Sequence, residues 1–346
     1  MAVNVDLCTL EDRRDLMDFI RDHWSANHVL ARSAALMDWQ HRDEAKGRYN
    51  FIAARDGDKG IVGILGFILA SRYDPTLGEA ADTLWLTTWK VRPDFAHGLG
   101  LLLLRKLDSI IAPKWIGTVG LNVATRGIYR ALGYQVDTLT RHYMLNGAVG
   151  DFKLATVPQT SRAGPELNSG ATLRELHADD FMAATEGLGL DESVQVPRKS
   201  RAYIRGRYLS HPFYSYRTVL VADGPHTAIC VFRQCRFEDA SALRLVDFLG
   251  SARAMMRAGA GLQDLLRRSG GEYLDFFCSG MRSELQAAGF RELPLAAESP
   301  ITLPGYFEPF ERSNVELVYS LRGPGDTPIV CKGDADQDRP NQLATS

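Results

Sequence analysis

The chain has 346 residues, 45% hydrophobic and 24% charged, an ordinary globular composition with length enough for two domains. Forty Lys plus Arg against 42 Asp plus Glu leave a formal charge of −2, which excludes a global positive field for nucleic acid or an anionic membrane. Apolar runs such as 61–70 fall short of the ~20 residues that span a bilayer, and no basic-then-apolar leader opens the sequence, so a cytoplasmic protein is expected.

Residues 1–145 read as a mixed α/β unit. Leu10–His23 has a helical apolar face at Leu16, Met17, Phe19 and Ile20. Asn50–Arg55 and Ile61–Ser71 are strands joined by the turn residues Asp56–Gly60, and Thr83–Val91 is a third, aromatic and β-branched strand. A Gly-containing loop leads into an apolar helix, about Leu101–Ile111. Strand Trp115–Val123, helix Ala124–Leu132 and strand Tyr134–Leu145 follow. Pro158–Gly170 is polar, Gly- and Pro-containing, and reads as a linker.

Residues 171–325 then repeat the order: hairpin (Thr218–Ala222 and His226–Cys235), strand Leu243–Leu249, loop and helix Met255–Arg268, strand Tyr273–Cys278, helix Met281–Ala288, strand Asn314–Leu321. An ordered internal repeat predicts two copies of one fold. Cys8, Cys230, Cys235, Cys278 and Cys331 lack the paired spacing of a zinc site and read as buried thiols.

Two segments carry chemistry. In Val91-Arg92-Pro93-Asp94-Phe95-Ala96-His97-Gly98-Leu99-Gly100-Leu101 a strand ends and two glycines bring the backbone close to whatever lies there. A helix then begins, and its unpaired N–H groups and dipole suit a pyrophosphate. In Asn122–Tyr134 (NVATRGIYRALGY) a strand delivers Asn122 to a helix start, where its side chain caps the first amides. Tyr129 and Thr125 share a face directed back towards that start.

In this order, 22 residues apart from Gly100 to Asn122, the two segments resemble the GCN5-related N-acetyltransferase (GNAT) superfamily. The resemblance rests on VRPDFAHGLGLLLL and N-x-A-x-x-x-I-Y-x-x-L-G-Y. It implies an α/β (mixed α+β) fold of two tandem domains, each a mostly antiparallel sheet flanked by helices. The expected boundaries are 1–157 for an acyltransferase domain, 158–170 for the linker, 171–325 for a degenerate copy and 326–346 for a polar tail.

By resemblance, acetyl-CoA or another acyl-CoA is the co-substrate and no metal is needed. The loop Phe95–Gly100, with Val91, Leu101 and Trp89, holds its phosphates and arm, and the Tyr129 hydroxyl faces the leaving sulfur. An amide near Thr87–Trp89 meets the carbonyl oxygen. Full proton transfer from a phenol (pKa ~10) to a thiolate (pKa ~8.5) is uphill by roughly 2 kcal/mol, so Tyr129 is expected to hydrogen-bond the thiolate first. Phe95 stands where the family has Arg or Gln, which removes a polar anchor but no backbone amide.

His28 is the first expectation for the base, with His41 and Asp82 behind it and Asn122 completing the catalytic set. Trp24, Asn27, Trp39, Gln40, His41 and Asp247 are expected to bind the acceptor, with Tyr306 and Arg205/Arg207 as further polar or aromatic contributors. The second copy has Gly259 and Gly261 at the phosphate loop but Leu285 where the tyrosine belongs, so it is expected to be inactive and to form a wall or pseudo-symmetric partner. Asp334, Asp336 and Asp338 alternate like the start of a calcium loop, but no Gly or late Glu follows. The tail is expected to be solvated or docked.

The expected function is acyl transfer to a small-molecule amine, best a nucleotide-linked amino sugar of bacterial surface-polysaccharide synthesis, without nucleic-acid or membrane partners and compatible with an oligomer. The rivals are a tandem aminoacyl or thiol-pathway acyltransferase and a non-catalytic binding pair.

Overall fold

The computed structural model describes residues 3–78, 82–95, 98–193, 195–294, 299–325 and 328–342. The first half contributes strand β1 (Asn4–Thr9), helices α1 (Arg13–His23), α2 (Val29–Arg32) and α3 (Ala34–His41), hairpin β2 (Arg48–Asp56) and β3 (Gly60–Leu69), then β4 (Thr83–Val91), α4 (Leu99–Ile111), β5 (Trp115–Val119) and α5 (Arg126–Ala131). Strands β6 (Gln135–Thr138) and β7 (Thr140–Leu145) close it. The second half adds β8 (Thr172–Leu176), β9 (Tyr216–Asp223), β10 (His226–Phe237), β11 (Ala240–Gly250), α6 (Gly259–Ser269), β12 (Tyr273–Cys278), α7 (Arg282–Ala287) and β13 (Val318–Arg322). Among the described residues, no helix is long and apolar enough to cross a membrane.

Local chemistry places the helices. Thr9 and Asp12 form a reciprocal cap ahead of α1, which buries Leu16, Phe19 and Ile20. Helix α4 buries Leu99, Leu103, Leu104, Leu107 and Ile111. It lies close on the sheet because Gly63 has no side chain; a methyl there would meet Leu103 at 3.3 Å.

The two sheets exchange strands. The first runs β1-β2-β3-β4-β5-β13-β6, and the second runs β7-β12-β11-β10-β9-β8 with short Arg291–Glu292 on the outer edge of β7. The single strand expected over Tyr134–Leu145 breaks at Leu139, whose N–H donates to the Leu317 carbonyl (2.8 Å). β6 stays in the first sheet, while β7 crosses to pair with β12. In return β13 lies between β5 and β6.

Side-chain burial accounts for the crossing. Tyr143, Met144 and Leu145 of β7 enter the second half's cores, and Tyr319 and Leu321 of β13 pack with Trp85 and Trp115. Arg141 on β7 donates to Asp275 through Nε (3.0 Å) and Nη2 (2.6 Å), and Arg244 shares the same carboxylate. Burial opposes the Asp275 charge, but Arg244 and Arg141 overcome it and hold the carboxyl at about 2. Passage between the sheets is therefore not confined to residues 158–170.

The tail docks. Val330, Cys331, Lys332, Asp334 and Ala335 are each 1% exposed or less. Lys332 donates to the Gly305 carbonyl (3.1 Å) and lies against the Phe277 and Tyr306 rings. Burial, with Arg244 beside it, pushes the Lys332 pKa down to about 7. A depressed folded pKa adds stability above the unfolded value, near 10.5, and loses it as pH falls through 7. Thermal melts of wild type should thus gain stability from pH 7 to 10, at a slope of up to ~1.4 kcal/mol per pH unit from this group. Lys332→Met should lack that component.

Candidate active site

Strands β4 and β5 run parallel and pair from Thr83/Trp115 to Trp85/Gly117. Beyond that they diverge, and a cavity of about 1000 Å³ opens between Thr87–Val91 on one side and Thr118–Asn122 on the other. At the same place the antiparallel register of β3 and β4 shifts: Leu65 faces Trp89 and Phe67 faces Leu86, so Thr87 and Thr88 together oppose Gly66. This is a β-bulge, which leaves its extra residue out of the ladder. The Thr87 and Thr88 hydroxyls, on residues 9% and 3% exposed, have no hydrogen-bond partner among the described residues.

Helix α4 points its N-terminus at this opening. Its N-cap, Gly98, has φ +98° and no side-chain cap. Gly98, Gly100 and Leu101 line the cavity with Val91 and Trp89, leaving first-turn amides and the positive end of the helix dipole to a ligand. A methyl on Gly100 would meet the Trp89 indole at 3.2 Å, which is why the second glycine of the loop is needed. Leu99 lies in the core. Phe95 lies under Lys59 and Arg92. Ala96 and His97 fall outside the described residues.

Tyr129 lines the cavity although only 3% exposed, with Trp89 and Tyr134 edge-on to its ring at 6.1 and 5.1 Å. Burial, with Tyr134 adjacent, raises the pKa of its phenol, so it enters the site as a neutral hydrogen-bond donor. Asn122 accepts from the Ala124 amide (2.9 Å), the expected cap, and also lines the cavity.

The acceptor-side expectations divide. Trp24, Asn27 and His28 reach the cavity. His28 caps α2, its Nδ1 accepting from the Leu30 amide (3.2 Å), and burial together with Arg339 lowers its pKa to about 4. With that lone pair committed, His28 offers the cavity an Nε2–H donor rather than a free base. Trp39, Gln40 and His41 do not line the cavity. Trp39 packs on Tyr73 and His211. His41 is sealed between Gln40 and the Phe67 carbonyl, its pKa pushed down to about 3 by burial.

Asp82 is also structural, accepting from the Ser71 and Thr83 amides. Asp247 is fully buried, paired with Lys199 and hydrogen-bonded by the Tyr208 hydroxyl. Among the described residues Asp247, Cys331 and Asp334 form the one metal-type cluster, and the Lys199 ammonium already bridges its two carboxylates.

The tail supplies contacts that the sequence did not single out. Asp336, Gln337, Arg339, Asn341 and Gln342 line the cavity together with Tyr306, and the Asn341 carbonyl accepts from the Val29 amide (3.0 Å). Asp336 was visible in the sequence only as part of an alternating acidic run, and Gln337, Arg339, Asn341 and Gln342 carry no such pattern; Tyr306 was legible as an aromatic in a polar loop.

The second half has the same wedge, but it is filled. Strands β11 and β12 pair only from Leu243/Leu274 to Leu245/Phe276, and a register shift puts Val246 in a bulge. The tail occupies the gap: Gly333 N–H donates to the Val246 carbonyl (2.9 Å), Lys332 N–H to Phe277 (3.1 Å), and Ser279 N–H to Val330 (2.9 Å). The N-terminus of α6 is covered as well, since Ala260 N–H donates to Asn168 of the linker (2.9 Å) and Gly259 abuts the Ala288 carbonyl. Leu285, in the tyrosine's place, is fully buried.

No protein-family model matches the sequence, and no curated protein matches it. Solved structures do. A GCN5-related N-acetyltransferase from Anabaena variabilis is 12% identical with a TM-score of 0.55, over 93% of this chain and 72% of that one. A conserved Enterococcus faecalis protein of unknown function is 9% identical with a TM-score of 0.51, over the same shares. At these identities the likeness is one of fold. The bulge gives a test of its own: a methyl on Gly66 would stand 2.7 Å from Thr87 Oγ1 and 2.8 Å from Phe51. Gly66→Ala should displace the bulge and cost ~1–3 kcal/mol in chemical unfolding.

Proposed function

We propose that this chain, which has the GCN5-related N-acetyltransferase fold in tandem, transfers an acyl group from acyl-CoA to an amine at the open wedge of its first sheet. One observation carries the reading. A bulged strand, an uncapped helix N-terminus and a buried phenol converge on a single cavity of about 1000 Å³.

Acyl-CoA supplies a thioester: the neutral amine, its extra proton already lost to water, forms the C–N bond as the C–S bond breaks, and the proton the nitrogen then sheds replaces the one that Tyr129 gives to the thiolate. The backbone at Gly98–Leu101 and the α4 dipole hold the diphosphate, and the arm follows the gap between β4 and β5. An amide freed by the Thr87–Thr88 bulge donates to the oxygen that gains charge during attack, an interaction worth ~3 kcal/mol in comparable sites. Tyr129 donates to the departing sulfur. Its raised pKa keeps the proton on the phenol until the thiolate has formed.

The acceptor enters between α2 and the tail. Trp24, 44% exposed, offers a ring face for stacking, and Asn27, Gln337, Asn341 and Gln342 offer carboxamides that read hydroxyls. These groups suit a hydroxylated amine, and a nucleotide-linked amino sugar is the class we favour. We keep 1–157 as the working unit and 171–325 as the supporting one, with β7 and β13 exchanged between their sheets. A thiol-pathway enzyme with its site in the second half is disfavoured, because the equivalent wedge and helix end there are covered by the tail and linker.

Two variants test the assignment. Gly100→Asp places a carboxylate against the diphosphate site and should abolish the heat of CoA binding in calorimetry; an unchanged Kd overturns the loop assignment. Tyr129→Phe should lower kcat ~100-fold with KM for acyl-CoA within ~3-fold. Equal loss in kcat and CoA affinity would instead mark Tyr129 as a packing residue.

A further inference from the structure

The acceptor side of the cavity holds one feature that acyl transfer by itself does not assign. Among the described residues lining the cavity, Asp336 is the one carboxylate. Its Oδ2 accepts from Arg339 Nε (3.3 Å) and Nη2 (3.1 Å), while among the described residues its Oδ1 accepts only from the Gln337 side-chain amide, at 3.3 Å. The guanidinium thus fixes the carboxylate by one oxygen, with its Nη1 turned to the Pro340 carbonyl (3.2 Å), and the other oxygen keeps unused acceptor capacity. Both side chains of the pair are less than 10% exposed, so the pair is poorly screened; Arg339 answers the charge at Oδ2, and Oδ1 is the oxygen left to a further donor. The other imidazole and phenol groups on this wall, His28 and Tyr306, are neutral there: burial lowers the first pKa and raises the second.

The position of Asp336 is set from a distance. Three residues upstream, the Gly333 carbonyl accepts from Arg207 Nε (3.0 Å), Arg207 Nη2 (2.8 Å) and the Tyr208 hydroxyl (3.1 Å). Asp334 pairs with the buried Lys199 at 2.8 Å. The tail is therefore clamped in the second sheet's wedge just before it enters the cavity of the first. The same cavity is lined by Thr87 and Thr88, whose buried hydroxyls have no partner among the described residues.

We propose that Asp336 is the specificity-determining counter-ion of the acceptor: it binds the substrate's ammonium group, which gives one proton to water before its lone pair attacks and passes the second, by way of Tyr129, to the leaving thiolate, and it loses its hold once that nitrogen is a neutral amide. This rests on the acyl-transfer reading and adds to it a reason for ordered turnover. Substrate is held by a charge-assisted hydrogen bond, and product is not.

The test uses D-glucosamine, an ammonium-bearing sugar, and N-acetylglucosamine, its neutral amide, titrated into the full chain by ligand-observed NMR. CoA calorimetry is run on each variant. Wild type should bind glucosamine at least about tenfold more tightly than the amide, ~1.4 kcal/mol. Asp336→Asn should abolish that preference, Asp336→Glu should restore most of it, and CoA affinity should hold in both. The double variant Asp336→Asn/Arg339→Gln, which leaves no unpaired guanidinium, gives the same readout should the single variant unfold. Absence of an amine preference in wild type, or its survival in both Asn variants, overturns the proposal. Loss of CoA binding by wild type itself overturns the acyl-transfer reading instead.

Discussion

Two parallel strands that separate before they end leave backbone N–H and C=O groups that must find partners elsewhere. This chain contains that problem twice and solves it in two ways. In the second sheet the gap beyond Leu245 and Phe276 is closed from within, by residues 330–333 hydrogen-bonding to Val246, Phe277 and Ser279. In the first sheet the gap beyond Trp85 and Gly117 remains a cavity. One architecture thus yields one plugged wedge and one open wedge, and the asymmetry between the halves follows from where the tail lies.

The exchange of β7 and β13 ties the two halves together. Each sheet is completed by a strand from the other half, and Arg141 carries a buried charge across the exchange onto Asp275. Breaking such a pair strands an uncompensated charge at a cost of ~3–5 kcal/mol. The halves therefore cannot separate by cutting the linker alone, and the second half is the mount that holds the tail against the first half's cavity.

That mount also explains why the base expected from the sequence is spent elsewhere. His28 is needed as the cap of a four-residue helix whose first amide also donates to the tail at Asn341. It lines the cavity, and the charged groups among the described lining residues, Asp336 and Arg339, come from the tail. Tyr129 differs: it is packed against aromatic rings yet still borders the cavity, a placement that fixes the phenol and preserves its proton.

Much of the first sheet could be read from residue order. The Asp56–Gly60 turn set the hairpin, Gly98 and Gly100 marked a close approach ahead of a helix, and Asn122 marked the start of the helix of Tyr129, because caps and turns depend on residues adjacent in the chain. Trp39, Gln40, His41 and Asp247 were polar or aromatic in suggestive places, but polarity alone does not say whether a group faces a cavity or a buried partner. The broken strand at Leu139 and the seating of β13 rest on contacts between residues more than a hundred positions apart, and the docking of 328–342 on partners spread from Val29 to Gly305. Local pattern determined the elements and the phosphate-type loop; only tertiary structure decided which wedge stays open and which side chains look into it, since backbone satisfaction and burial are settled among distant neighbours.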